Sequence, residues 1–335
     1  MDTDILIVGG GPAGLAFARQ LKDSRLRVTI IEKAPLETLQ NPPYDGREIA
    51  LTHLSREIMQ RLGMWQRIPE NEIYRLRDAK VFNGTSDYTL HFPQPSKARG
   101  GATDRLGNLI SNHHIRRAAY EEVAECENVE LRCGVGVKSV ETNENRALVE
   151  LENGDTITAR LLVAADSRFS QTRRQLGIAA DMHDFGRTVI VFRTKHTISN
   201  QHTASECFFY GRTLALLPLE EHLTNCVITI TNTKAHELLD LSPEALTAEA
   251  QKMLNGRLGE MEIAGIIIRW WGRTRARLSA RAALWWAMRR WECTLLRRMA
   301  GIWAWKARRF WQNKCCRRMR RARILRLKTC WRCIT

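Results

Sequence analysis

The stretch "DILIVGGGPAGLAFARQL" near the front of the chain restricts its fold more than any other. The continuous apolar run Ile5–Val8 is what a strand buried on both faces of a parallel sheet requires. It leads into G-x-G-x-x-G, with Gly9, Gly11 and Gly14 at the glycine positions, and then into a helical pattern through Leu21. "RVTIIEK" supplies a second strand ending in an acid, Glu32, eighteen residues past Gly14. The three glycines play different parts. The first permits the tight turn, the second lets backbone approach a pyrophosphate, and the third lets helix pack on strand. Pro12 and Ala13 begin the helix, whose unpaired N–H groups and dipole favour phosphate. Glu32, with Lys33 beside it, stands where a carboxylate meets the adenosine ribose hydroxyls. Strand, glycines, helix, second strand and terminal acid occur in order, which predicts a dinucleotide site. The pattern alone does not separate FAD from NAD(P).

Two further stretches carry a family resemblance. "LLVAADSRFSQTRRQLGI" resembles the second signature of the FAD-dependent aromatic-ring hydroxylases, G-A-D-G-x-x-S-x-x-R-x-x-L-G-I. Ala165, Asp166, Ser170, Arg173, Leu176, Gly177 and Ile178 fall in register, while Ala164 and Ser167 replace two glycines of the pattern. "DGREIALTHLSREIMQRLGMW", Asp45 to Trp65, resembles the D-x-R-x-I-A-L-S segment of the ubiquinone-biosynthesis branch of that family. "NLISNHHIRRAAYEEV" resembles the helix that follows the family's substrate strand. The resemblance covers residues 1 to about 265. It implies FAD as cofactor, Asp166 near the ribityl and pyrophosphate, Arg47 approaching the flavin, and Arg116 or Arg117 touching cofactor. Read from the residues alone, Asp166 and Ser170 could be helix caps, and Arg47 and Arg116 solvated charges.

The implied fold is α/β: a Rossmann-like FAD-binding domain of the aromatic-hydroxylase type with an inserted, mainly antiparallel β-sheet substrate domain. The expected segments are a FAD-binding domain over 1–180, containing a substrate-domain piece around 72–100, then substrate-domain sheet and helix over 181–265, and a tail over 266–335. "ALVELENGDTITARLLVAAD" predicts a hairpin turning at Asn153-Gly154 and leading into a buried strand. "RTVIVFRTKH", "ECFFYGRTLALLPLE" and "NCVITITN" are rich in β-branched and aromatic residues and read as strands. Ser242 and Pro243 mark the N-cap and first residue of a helix. Cys126, Cys133, Cys207 and Cys226 have no metal-ligand spacing and are expected to be buried thiols in a reducing compartment. His183, His196, His202 and His222 likewise show no metal spacing and are expected at the surface or in the sheet. No metal site is expected. With no secretory or membrane-spanning stretch, the expected location is cytoplasmic, at most peripheral on a membrane.

Charge divides the chain in two. The last 70 residues carry 21 Lys+Arg against the single acid Glu292, whereas the first 265 hold 31 basic and 35 acidic side chains. The tail also takes nine of the ten tryptophans. Flavin hydroxylases need a third motif here, G-D-A-A-(x)4-P followed by G-x-N-x-G, and the tail as written lacks it. Reading one base out of frame supplies it. Trp286-Ala287, Trp291-Glu292, Met299-Ala300 and Trp303-Ala304 each force glycine, and Trp305-Lys306 forces glutamate. The hidden text is compatible with G-D-A-A-x-G-(M/V)-H-P-x-x-x-x-G-x-N-L-G-x-E. The tail is therefore expected to be a frameshift product beginning near Gly265, ending at a chance stop, with Cys330 and Cys333 at a chance spacing.

The resemblance implies a monooxygenase that takes NAD(P)H as reductant, O2, and a small prenylated aromatic substrate, a phenol or quinol precursor of ubiquinone. Activity is expected to be weak or absent without the third motif. Association with a membrane or a ubiquinone-biosynthesis complex is compatible with such a substrate. Two alternatives stay open: a noncatalytic polyanion-binding protein acting through the tail, without a selected nucleic-acid partner, and another Rossmann-type flavin oxidoreductase. The residues name no catalytic acid or base.

Overall fold

A computed structural model describes residues 1–278 other than 85, 87, 99, 100, 266, 267 and 271–273. In chain order, the elements that position the site are β1 (Thr3–Val8), α1 (Pro12–Arg19), β2 (Val28–Glu32), β3 (Glu48–Leu51), β4 (Gly107–Ser111), α2 (Asn112–Ala124), β5 (Val129–Cys133), β6 (Thr156–Ala164), α3 (Gln171–Gln175), β7 (Arg187–His196) and β8 (Leu223–Thr231). The chain has an α/β fold and divides into two compact units. Among the described residues, the first comprises Met1–Asn41, Ala119–Ala180 and Leu278, and the second Pro42–Ala118 and Asp181–Arg277.

The first unit is built on a six-stranded sheet in the order β5, β2, β1, β6, Ala147–Leu151, Val137–Thr142. The first four strands are parallel and the last two antiparallel. Ile5, Leu6 and Ile7 of β1 and Ile30 and Ile31 of β2 are at most 2% exposed, as strands covered on both faces should be. Each such side chain contributes about 1.5–3 kcal/mol relative to exposure. The expected hairpin is present: Ala147–Leu151 pairs with β6 across a turn in which Gly154 has φ +92°. Beyond the hairpin β6 is only half-buried at Leu161, Leu162 and Val163, less than its apolar run predicts.

The second unit holds an eight-stranded, mainly antiparallel sheet. Its main path runs Met261–Ile263, β7, β8, Arg212–Pro218, Thr203–Phe209, Asp78–Asn83, Thr89–Phe92. Only the pairing of Asp78–Asn83 with Thr203–Phe209 is parallel among the described registers of this sheet. One face carries Phe192, Leu214, Leu216, Cys226 and Ile228 against Leu246, Ala250 and Met253 of the helix Pro243–Leu254. That helix begins as expected, with Ser242 Oγ accepting the Ala245 N–H at 3.2 Å. A smaller sheet, in the order β3, β4, Tyr74–Leu76, belongs to the same unit.

Compactness draws its boundaries elsewhere than the motifs do. The whole of Pro42–Ala118, not only a piece around 72–100, groups with the 181–265 segment. The cause is hydrogen bonding: β3 pairs β4, β4 pairs Tyr74–Leu76, and Asp78–Asn83 joins the large sheet. The tail motif between Trp285 and Lys306, and the Cys330–Cys333 pair, lie outside the described residues.

Candidate cofactor site

The glycine-rich turn sits at the carboxyl end of β1, held from both sides. Gly9 N–H donates to the Ile31 carbonyl of β2 at 2.8 Å, and Ala165 N–H, just past β6, donates to the Val8 carbonyl at 2.7 Å. Gly9 has φ +111°, and a Cβ there would lie 2.4 Å from the Ala165 carbonyl oxygen. A Cβ on Gly14 would lie 2.1 Å from the Gly9 carbonyl oxygen. Gly11 differs: a Cβ would meet nothing within 4 Å. Two glycines are thus required by the protein's own backbone, and Gly11 faces open space.

From Gly11 the chain enters α1, with Pro12 at its first position. No side chain caps the helix, and its first turn has no acid. Pro12 and Ala13 are half-buried beside Gly11, so amide donors at this end are available to an anion. Glu32 ends β2 with both carboxylate oxygens engaged. Oε2 accepts the Gly10 N–H at 2.6 Å and Oε1 the Ala34 N–H at 2.8 Å. Gly10, to which the spacing argument gives no role, is therefore the link between turn and acid. Its signal was the extra glycine inside the motif. Lys33 is exposed and pairs with Glu152 at 3.0 Å. A groove lined by Cys133, Gly134, Val135 and Glu152 begins where β5 ends; there Cys133 lies opposite Glu32 in register.

Asp166 follows β6, which is the neighbour of β1 on the side opposite β2. This is the point where the sheet order reverses, and ligands of open α/β sheets bind in the crevice there. The second signature does cap a helix: Ser170 Oγ accepts the Arg173 N–H at 2.9 Å and Asp166 Oδ2 the Thr172 N–H at 3.3 Å. Capping uses one Asp166 oxygen only. Oδ1 is buried and has no hydrogen-bond partner. A buried carboxylate oxygen without a donor needs one, and a sugar or ribityl hydroxyl would supply it. The open face of Gly11, the uncapped helix and this lone oxygen fit the diphosphate and sugar portion of an adenine dinucleotide. Gly9, Gly11, Pro12, Ala13, Gly14, Glu32, Lys33 and Asp166 all belong to the first unit.

Arg47 and Arg116 belong to the second unit. Arg47 Nη2 pairs with Asp45 at 2.5 Å and its Nε donates to the same carboxylate at 2.9 Å. Arg116 and Arg117 are half-buried on α2 and have interaction partners. Close to Arg47 along the chain is a buried polar cluster that no sequence motif marks. Glu48 has a fully buried side chain, bonded to Arg193 Nη2 at 2.8 Å and to Ser111 Oγ at 2.8 Å. Burial outweighs these partners and holds the Glu48 carboxyl above the usual carboxylate range. Arg193 also lies over the Tyr44 ring, 4.9 Å from its centre. The one available signal was Arg193 directly after the apolar run "VIVF" of that strand.

The remaining expectations divide. Cys126, Cys207 and Cys226 are buried free thiols, the last two pushed up by burial to about 11 and about 12, but Cys133 is only partly buried. His196 is one of the sheet histidines, at the end of β7, buried and bonded to the Ile198 carbonyl at 2.8 Å and to Thr224 Oγ1 at 2.9 Å. Among the described residues, no helix is long and apolar enough to cross a membrane.

Comparison with known proteins agrees with the geometry. A family model described as FAD binding domain matches residues 2–275. The chain is 66% identical over 267 residues to a ubiquinone hydroxylase, UbiM, of Neisseria meningitidis, covering 80% of this chain and 58% of that one. It is 28% identical over 262 residues to a ubiquinone hydroxylase, UbiL, of Rhodospirillum rubrum, covering 78% and 60%. The chain thus spans about three fifths of the length of these relatives. Among solved structures, p-nitrophenol 4-monooxygenase of Pseudomonas putida shares the fold, with TM-score 0.61 and 15% identity over 82% of this chain and 68% of that one. So does a flavin-dependent monooxygenase solved with FAD and substrate, with TM-score 0.61 and 18% identity over 83% and 51%.

Proposed function

Because the chain belongs to the FAD-binding-domain family, we propose that it derives from an FAD-dependent monooxygenase hydroxylating the ring of a polyprenylated phenol or quinol precursor of ubiquinone. The observation that carries this reading is the meeting of the Gly9–Gly14 turn with Asp166 at the ends of two adjacent parallel strands. Identity to a ubiquinone hydroxylase over 267 residues supports the substrate class. In this reading the α1 amides hold the diphosphate, Asp166 Oδ1 accepts a hydroxyl of the sugar or ribityl chain, and the groove beside Glu32 takes the adenosine end. Arg47 contacts the flavin side, with Arg116 as a further cofactor contact. When bound, FAD supplies the reductive activation of O2 and the transfer of one oxygen atom, with NAD(P)H as reductant. The protein's part is to bind, orient and exclude water. The substrate's prenyl chain favours a peripheral membrane or multiprotein setting.

The segment after about residue 265 is, in the same proposal, the product of a shifted reading frame, so the third cofactor segment is missing and turnover is impaired. In support, the 66% identity extends over 267 residues of a relative whose length is much greater. The test is purification of the full chain, followed by measurement of bound FAD and of NAD(P)H oxidation with a prenylated phenol. Weak FAD binding with little or no substrate-dependent oxidation is expected; stoichiometric flavin and full turnover would refute the impairment. One observation favours a second reading, polyanion binding: the 21 basic residues after residue 265. Steeply salt-dependent binding to single-stranded DNA would support it.

A further inference from the structure

Arg47 is gripped on both sides by the large sheet of its own unit. Asn225 Nδ2 donates to the Gly46 carbonyl at 3.0 Å, and Arg193 Nη2 donates to Glu48 at 2.8 Å. Arg193 and Asn225 are themselves cross-strand partners, in β7 and β8. Both lie on the sheet face opposite the Phe192–Cys226 pair that packs toward the helices, because each is one residue from that pair in register. Two neighbouring side chains thus hold the residues before and after Arg47. A third contact fixes Arg47 itself: the Asn112 N–H donates to its carbonyl at 2.8 Å, and Asn112 Nδ2 holds Asp45 at 2.7 Å.

Stability alone is a poor reason for this arrangement. Burying the Glu48 carboxylate against a half-buried arginine costs desolvation that a hydrophobic pair of similar volume avoids, and replacements of buried ion pairs are often neutral or stabilising. Here two atoms are left over as well, since Arg193 Nε and Asn225 Oδ1 are buried without a partner. What the contacts achieve is register: the Gly46 backbone and the Glu48 side chain, on either side of Arg47, are tied to fixed points on one sheet. We propose that Arg193 and Asn225, with Glu48 as anchor, are positioning residues that set the Arg47 guanidinium for its cofactor contact. This rests on the reading of Arg47 as a flavin-side residue given above.

The test titrates FAD into the full 335-residue chain and into Arg47→Met, Glu48→Leu/Arg193→Met and the triple variant. Loss of the Arg47 contact weakens FAD binding by about tenfold, the worth of one charge-assisted hydrogen bond. Glu48→Leu/Arg193→Met produces a similar loss while its melting temperature stays near that of the parent, and the triple variant is no weaker than Arg47→Met. Amide exchange over residues 44–48 rises in the double variant. Arg193→Lys, which keeps a charge beside Glu48, falls between parent and double variant and serves equally if the double variant does not fold. FAD affinity unchanged in the clamp variants, or losses that multiply in the triple variant, overturns the proposal. An Arg47→Met variant that binds FAD like the parent overturns instead the assignment of Arg47 on which it rests.

Discussion

Gly9, Gly11 and Gly14 look alike in the motif, and the structure separates them. The backbone needs Gly9 for φ +111° and for the approach of Ala165, and it needs Gly14 for the approach of the Gly9 carbonyl. Gly14→Ala therefore acts on folding, with a Cβ that has no room, at a cost of about 1–3 kcal/mol. A lowered urea midpoint in Gly14→Ala, with no such loss in Gly11→Ala, is the expected result. Glu32 was legible from its position at the end of a strand, but its visible work is local: both oxygens bind backbone N–H groups of the turn and of Ala34. A carboxylate fixed in this way keeps lone pairs for a ribose while it secures the loop. The approach of the Asp166 segment to the glycine turn was legible only through resemblance, because Gly9 and Ala165 are brought together by pairing between strands some 150 residues apart in the chain.

At the level of elements, strands were read well where a single pattern served a single environment. The apolar run Ile5–Val8 of β1 is buried throughout, and so are Val28, Ile30 and Ile31 of β2. Legibility ended where the function of a residue depends on a partner far along the chain. Glu48 and Arg193 are 145 positions apart, and no local pattern announces their contact. The parallel pairing of Asp78–Asn83 with Thr203–Phe209 was equally invisible, although a substrate-domain piece around 72–100 was expected. The start of α2 carries a testable consequence. His113, beside His114 with ring centres 3.9 Å apart, is lowered to about 4, first by burial and then by the His114 charge. A depressed folded value means the unfolded chain takes up the proton first as pH falls. The contribution to stability is complete above the ordinary value of 6.5 and is lost as pH drops toward about 4. His113→Gln should flatten the fall in urea midpoint between about pH 7 and about pH 5, a window set by that linkage. An equally steep fall in the variant would assign the acid sensitivity to other groups, of which His114, His196 and His202 are also lowered by burial.

For the molecule as a whole, composition misleads unless it is located. A net charge of +16 suggests an anionic partner, yet the first 265 residues are slightly acidic and carry every cofactor-site residue named above. In the frameshift proposal, the Arg/Trp-rich segment reflects codon arithmetic rather than a binding surface. Any salt-dependent binding of single-stranded DNA, whose slope counts released counterions, should disappear when residues 279–335 are deleted. Sequencing the coding DNA around codon 265 should show that a one-base shift restores the third motif. On the function proposed, the first unit keeps the part of a flavin site that holds diphosphate, and Gly11 offers the most direct access to it. FAD titrated into the parent chain and into Gly11→Asp, followed by flavin fluorescence alongside melting temperature, separates binding from folding. An aspartate at this helix N-cap suits the helix but places a negative charge where the diphosphate docks. The predicted result is saturable binding by the parent, weakened at least about tenfold in Gly11→Asp, with an unchanged or raised melting temperature. Equal binding by both chains, or none by the parent, would contradict a diphosphate seated on the first βα turn.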